Sequence, residues 1–105
     1  MRARTEFTAA VRSGVRAGSP SLVVHLGRTA DHAASPQVGF IVTRSVGGAV
    51  VRNTVRRRLR HVLRERLERL PAGSRLVVRV NPAAAGRSAG QLATDLDRAL
   101  DRALR

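Results

Sequence analysis

At Gly47-Gly48 the spacing of apolar residues changes. Before it, Val38, Phe40 and Val42 alternate with Gly39, Ile41 and Thr43, the period of two that puts one face of a strand on a core. After it, Val51, Val55, Leu59, Val62, Leu63, Leu67 and Leu70 fall along one side of a helix, drifting slowly around its axis. The spacing predicts a long helix from about Val50 to Leu70, stopped by Pro71-Ala72-Gly73. Leu76, Val78 and Val80 then alternate with Val77 and Arg79, so a second strand follows directly. A strand, a long amphipathic helix and another strand in succession point to an α+β fold.

The rest of the chain supplies the partners. Phe7, Ala10 and Val11 have helical spacing within Arg4 to Ser13, with Gly14 as the stop, which predicts a short first helix. Leu22 to Leu26 is a β-branched apolar run of strand length, expected to pair with the strand at 38–43 as a hairpin across a polar loop at 31–36. Val15 to Ala17 is open between coil and a further short strand. Ser88 and Gln91 have the spacing of a capping box, and Leu92, Leu96, Leu100 and Leu104 follow on one face, which predicts a last helix. At 105 residues the chain supports one core. Residues 1–105 are therefore expected to form a single-domain α+β sandwich, a small sheet with helices packed on it.

Charge decides what such a domain is for. The chain has 20 basic and seven acidic residues, a net of +13, and every basic residue is arginine. Arginine grips phosphate with two parallel hydrogen bonds and stacks on bases, which lysine does less well. Between Asp31 and Glu65 stand seven arginines and no acid. So much unrelieved repulsion is stable when an anionic partner covers it, and a nucleic-acid backbone is the commonest such partner. The absence of cysteine removes disulfides, thiolate catalysis and cysteine-based zinc sites. No run has the apolar length of a membrane span and Met1 to Gly18 lacks a signal-peptide centre, so a cytoplasmic protein is expected, with no membrane partner. The acids are scattered or paired on helix surfaces, and there is no phosphate loop or metal-binding histidine pair. An independent protein enzyme is therefore not expected, and neither a catalytic residue nor a metal ligand is assigned.

On a helical wheel Asn53, Arg56, Arg57, Arg60 and Arg64 occupy an arc of about 100° opposite the early part of the apolar stripe, with Arg52 at its flank. Arginines four residues apart stand about 6 Å apart along the axis, so one face can track one stretch of phosphates. A helix that is merely solvated mixes signs. That pattern is expected only at the far end, from Arg64 with Glu68 and Glu65 with Arg69, and on the last helix, where Asp97, Arg98, Asp101, Arg102 and Arg105 interleave. His61 lies beside the arginines, His25 lies on a strand without ligand-spaced partners, and His32 is in the loop.

The string GGAVVRNTVRRRLRHVLRERL, Gly47 to Leu67, resembles the signature of the bacterial ribonuclease P protein component, with Thr54 where the second arginine of an Arg-Asn-Arg triplet stands. The resemblance extends to RTEFTAAVRSGVRAG from Arg4, to VGFIVTRSVGGAV from Val38 and to LVVRVNPAA from Leu76. It implies a mainly antiparallel sheet with an unusual left-handed β-α-β crossover, of the kind found in the second domain of a small-subunit ribosomal protein. Composition alone gives no hint of it, because crossovers are right-handed in about 98% of cases. The resemblance further implies that the arginine helix binds a catalytic RNA subunit, and that a cleft between sheet and first helix holds the 5′ leader of precursor tRNA. By position, Phe7, His25, Phe40, Thr43 and Arg44 would line that cleft, although the pattern alone also fits Phe7 and Phe40 in the core. Mg²⁺ would act with the RNA, the protein alone would hold no cofactor, and no obligatory protein partner is implied. Charge and size fit a ribosomal or architectural nucleic-acid-binding protein equally well.

Overall fold

In a computed structural model, residues 14–28 and 35–105 are described. The helix expected over Arg4 to Ser13, with Phe7, and the loop residue His32 lie outside them. Four strands, β1 (Val15–Gly18), β2 (Leu22–Arg28), β3 (Gln37–Ile41) and β4 (Ser74–Val80), make one sheet in the order β1-β2-β4-β3. β1 with β2 and β2 with β4 are antiparallel, and β3 with β4 is parallel. The sheet is thus mixed and mainly antiparallel. The region left open at Val15 to Ala17 is a strand. The hairpin expected between β2 and β3 does not form, because β4 lies between them. Apolar alternation fixes which face a strand presents, not which neighbour it takes.

Two α-helices are described: α1 (Ala49–Arg64) and α2 (Ala89–Ala103). α2 packs on β1 and β2, and α1 packs alongside α2. Directly paired residues share a sheet face, so the registers place Ala17, Leu22, Val24, Leu76, Val78 and Val80 together, against α2. With Val55, Leu59, Val62 and Leu63 of α1 and Leu92, Leu96, Ala99 and Leu100 of α2 they form the main core cluster. The Ser88 capping box is present, each partner bonding the other's backbone N–H.

α1 stops at Arg64, six residues short of the expected end. A turn and a short 3-10 segment, Leu67–Arg69, replace its last turns and carry Leu70 into the core while leaving Leu67 exposed. At the other end Val50 is 79% exposed and Val51 is at the surface, so the apolar stripe begins only at Val55. Gly47 makes the entry possible. Its φ is +154°, and a Cβ there would stand 2.8 Å from Val51 Cγ1. A side chain would meet strain and a clash together.

Candidate nucleic-acid interface

α1 reads AVVRNTVRRRLRHVLR: six arginines, one histidine and no acid. Its buried residues, Val55, Leu59, Val62 and Leu63, fix the inner side. Opposite them Asn53, Arg57, Arg60 and Arg64 are exposed, and Arg56 is half-buried with Nη1 3.4 Å from Asn53 Oδ1. These five sequence-predicted residues are thus brought onto one side. Arg52 is not. It stands about 35° from the middle of the buried stripe, counted at 100° per residue, half-buried, with an Nε that meets no hydrogen-bond partner among the described residues. Thr54 bonds its hydroxyl to the Val50 carbonyl at 3.0 Å, an in-helix bond that keeps it from reaching outward as an arginine would.

The mixed-charge end of the helix is built differently from expectation. Arg69 reaches across to Asp101 (2.5 Å) and Asp97 (3.4 Å), and Arg66 holds Asp97 with Nε at 2.6 Å and Nη2 at 3.1 Å. The acids of α2 therefore neutralise the segment just after α1. The Arg66 guanidinium hydrogen-bonded to Asp97 holds that carboxyl below the usual carboxylate range, against the opposing effect of burial. Glu65 lies 3.8 Å from His61 Nε2. None of these acids belongs to the arginine helix itself.

The proposed cleft residues divide. His25 pairs with Arg16 on β1 and Val77 on β4, so it lies on the second face of the sheet, away from α2. There it is 6% exposed beside Val77 at 1%, and its Nδ1 meets no hydrogen-bond partner among the described residues. Burial, then the charges of Arg16 and Arg79, push the imidazole pKa down, which keeps it neutral. Phe40 pairs with Val78 and packs half-buried against the main core, on the opposite face from His25. Thr43 and Arg44 are exposed just past the end of β3, Thr43 immediately before and Arg44 opening the 3-10 turn that leads into α1; Thr43 Oγ1 lies 2.7 Å from Ser45 Oγ. Sequence reading missed that Arg16, Arg75 and Arg79 share the face of His25. Arg79 already alternates with Val78 and Val80 in the sequence; Arg16 could be placed only by knowing its register. Arg75 is buried and donates to the Ser74 carbonyl at 3.1 Å. Among the described residues no group of three or more His, Asp or Glu could hold a metal ion, and no helix is long and apolar enough to cross a membrane.

A small mixed sheet backed by two helices, one bearing only positive charge and the other capped and mixed in sign, defines an α+β RNA-binding protein. The comparisons make the class particular. The ribonuclease P family model matches residues 1–104. A Streptomyces griseus ribonuclease P protein component is 52% identical over 111 residues, covering 99% of this chain and 90% of that protein. The Salinispora tropica component is 48% identical, covering 95% and 86%. Among solved structures, the Staphylococcus aureus RNase P protein superposes with a TM-score of 0.83 at 20% identity, covering 94% of this chain and 89% of that one. The Thermotoga maritima protein gives 0.80 at 22%, covering 97% and 94%. The chain belongs to the ribonuclease P protein family, whose members are protein components of ribonuclease P in tRNA processing.

Proposed function

We propose that the chain docks the catalytic RNA of ribonuclease P along Asn53, Arg56, Arg57, Arg60 and Arg64, and that the second face of the sheet holds the single-stranded 5′ leader of precursor tRNA. The observation that carries the reading is α1 itself, six arginines and no acid on a helix whose outer side is exposed. On the sheet, the exposed Arg16 and Arg79 guanidiniums suit leader phosphates, and the neutral imidazole of His25, 6% exposed, would meet an unpaired base only at the edge it leaves open. Phe7 of the sequence-predicted cleft set joins the same proposal, and Thr43 and Arg44 extend it towards the helix. Phe40 supports the sheet from the core side.

In this reading the protein performs no bond-breaking step. The RNA carries phosphodiester hydrolysis with Mg²⁺ that it holds itself, in the cytoplasm. The protein screens phosphate repulsion so that RNA and substrate pack at lower Mg²⁺, and it adds contacts that only a leader-bearing substrate can use. Reconstituting the catalytic RNA with and without the protein tests this. The Mg²⁺ concentration for half-maximal cleavage of precursor tRNA should fall on adding protein, and affinity should rise for leader-bearing over leaderless tRNA. An unchanged Mg²⁺ requirement would overturn the charge-screening role proposed for the protein.

A further inference from the structure

The arginine helix is fastened on one flank. Arg58 follows Arg57 in the run Arg56-Arg57-Arg58, but it is turned about 100° from Arg57 around the axis and donates from Nη1 to the backbone carbonyl of Arg87 at 2.7 Å. Arg87 in turn sets its Nε 3.3 Å from Oδ2 of Asp95 on α2. The same oxygen accepts the Ser21 hydroxyl at 2.5 Å, and the Ser21 carbonyl accepts the Asn81 N–H at 2.8 Å. Asp95 is 3% exposed and Ser21 is wholly buried. A carboxylate taken this far from water is tolerated only when its charge and lone pairs are met. Here the groups that meet it come from Ser21, the residue just before β2, and from Arg87 in the segment leading into α2. The line of bonds therefore runs from α1, through Arg87, to Asp95 in the middle of α2 and to Ser21 just before β2. β2 is the strand that carries His25 on its other face.

We propose that Arg58 is a positioning residue and not an RNA contact: through Arg87 and Asp95 it fixes the angle between the arginine face of α1 and the sheet. One nitrogen of its fork, Nη1, is already engaged by a protein carbonyl, which costs it the two-pronged grip that phosphate-binding arginines use. A helix held at one angle lets catalytic RNA and leader meet one rigid body, so both are bound without the cost of ordering one surface against the other. This rests on the function proposed above, with α1 facing the catalytic RNA and the leader on the sheet.

Three variants and a control in the reconstituted holoenzyme test it. Arg57→Ala, the control, should lower the slope of log K for RNA-subunit binding against log salt by about 0.7 to 0.9. Arg58→Ala should leave that slope unchanged, yet reduce the preference for leader-bearing over leaderless tRNA by about three- to tenfold, the worth of one hydrogen bond. Arg58→Lys, which keeps a donor for the Arg87 carbonyl, should restore the preference. Asp95→Asn, at a residue 3% exposed, should reproduce the loss, measured well below its melting temperature. If Arg58→Ala lowers the slope as the control does, Arg58 is a phosphate contact and the proposal fails. It fails equally if the leader preference is unchanged and both affinities fall only with the folded fraction, since Arg58 is then a plain stabiliser. A control with no effect on the slope overturns the RNA-facing helix first, and the positioning role with it.

Discussion

α1 and α2 are amphipathic helices of nearly equal length, 16 and 15 residues, lying side by side, yet they obey opposite rules. α2 begins on a complete capping box. It also sets Asp97 and Asp101 where Arg66 and Arg69 meet them. α1 begins on Gly48 with no side-chain cap, and neither helix has an acid in its first turn to favour the dipole, so the cap is what separates the two starts. Arg52, Arg56, Arg60 and Arg64 recur four apart along it, each adjacent pair costing about 0.2 to 0.5 kcal/mol with no acid of the helix to offset it. The local rules that stabilise a helix are kept on α2 and broken on α1, the helix proposed to face a polyanion. A sequence that breaks such rules at one place and keeps them elsewhere marks its functional site.

The largest expected effect breaks the comparison directly. Arg57→Ala with Arg60→Ala should weaken RNA-subunit binding by on the order of tens-fold near 0.1 M salt, since each lost phosphate contact contributes about 0.7 to 0.9 to the salt slope. Arg98→Ala with Arg105→Ala removes the same charge from α2 and from the second residue past its end, and should cost only a fewfold. Filter binding across a salt series measures both. Equal losses would mean that net charge alone binds the RNA and that α1 is not distinguished from α2.

A smaller effect sharpens it from the stability side. Ser88→Ala deletes the cap of α2 and should cost about 1 kcal/mol in urea unfolding without changing RNA affinity. Gly48→Asp does the reverse for α1. Gly48 has φ −70° and ψ 179°, which any residue adopts, and a Cβ there meets nothing within 4 Å. The new carboxylate caps the helix and favours its dipole, so stability should rise by about 0.3 to 1 kcal/mol while RNA binding falls. A variant that gained stability and kept full affinity would show that the bare helix start is not part of the interface.

What the amino-acid sequence makes legible depends on the range over which each pattern acts. The period change at Gly47-Gly48 and the acid-free arginine run are local signals, carried by residues close together in the chain, and they suffice to locate α1 and its exposed side. The neighbour of β3 is not legible, because pairing with β4 depends on the β-α-β path and not on the alternation of Val38, Phe40 and Val42. Nor is the division of His25 from Phe40: each lies on a strand with its own alternation, and only the register across β4 shows that they face opposite ways. Arg58 is identical in type to Arg56 and Arg57. Its different task comes from Arg87, 29 residues away in sequence. The early end of α1 has a similar cause, for Arg66 and Arg69 are drawn to Asp97 and Asp101.

Those two acids give the smallest effect, and one whose sign is fixed. Asp97 accepts two hydrogen bonds from Arg66, which, with the charges of Arg66 and Arg69, hold its carboxyl below the value of about 3.9 expected in the unfolded chain. Because the folded state binds that proton less readily than the unfolded state, the bridge stabilises the fold above about pH 4, and its contribution is lost as pH falls through the lowered folded value. Asp97 is 41% exposed at its side chain, so solvent screens the pair and its worth stays within about 1 kcal/mol. Asp97→Asn should therefore be slightly less stable than the parent at pH 7, and the difference should shrink as urea unfolding is repeated towards pH 3 and below. Its RNA affinity should hold, since Asp97 only neutralises arginines beyond the end of α1. A gain in RNA affinity on Asp97→Asn would instead show that Arg66 and Arg69 belong to the interface, extending the binding surface past Arg64 and making the acids of α2 a limit on it.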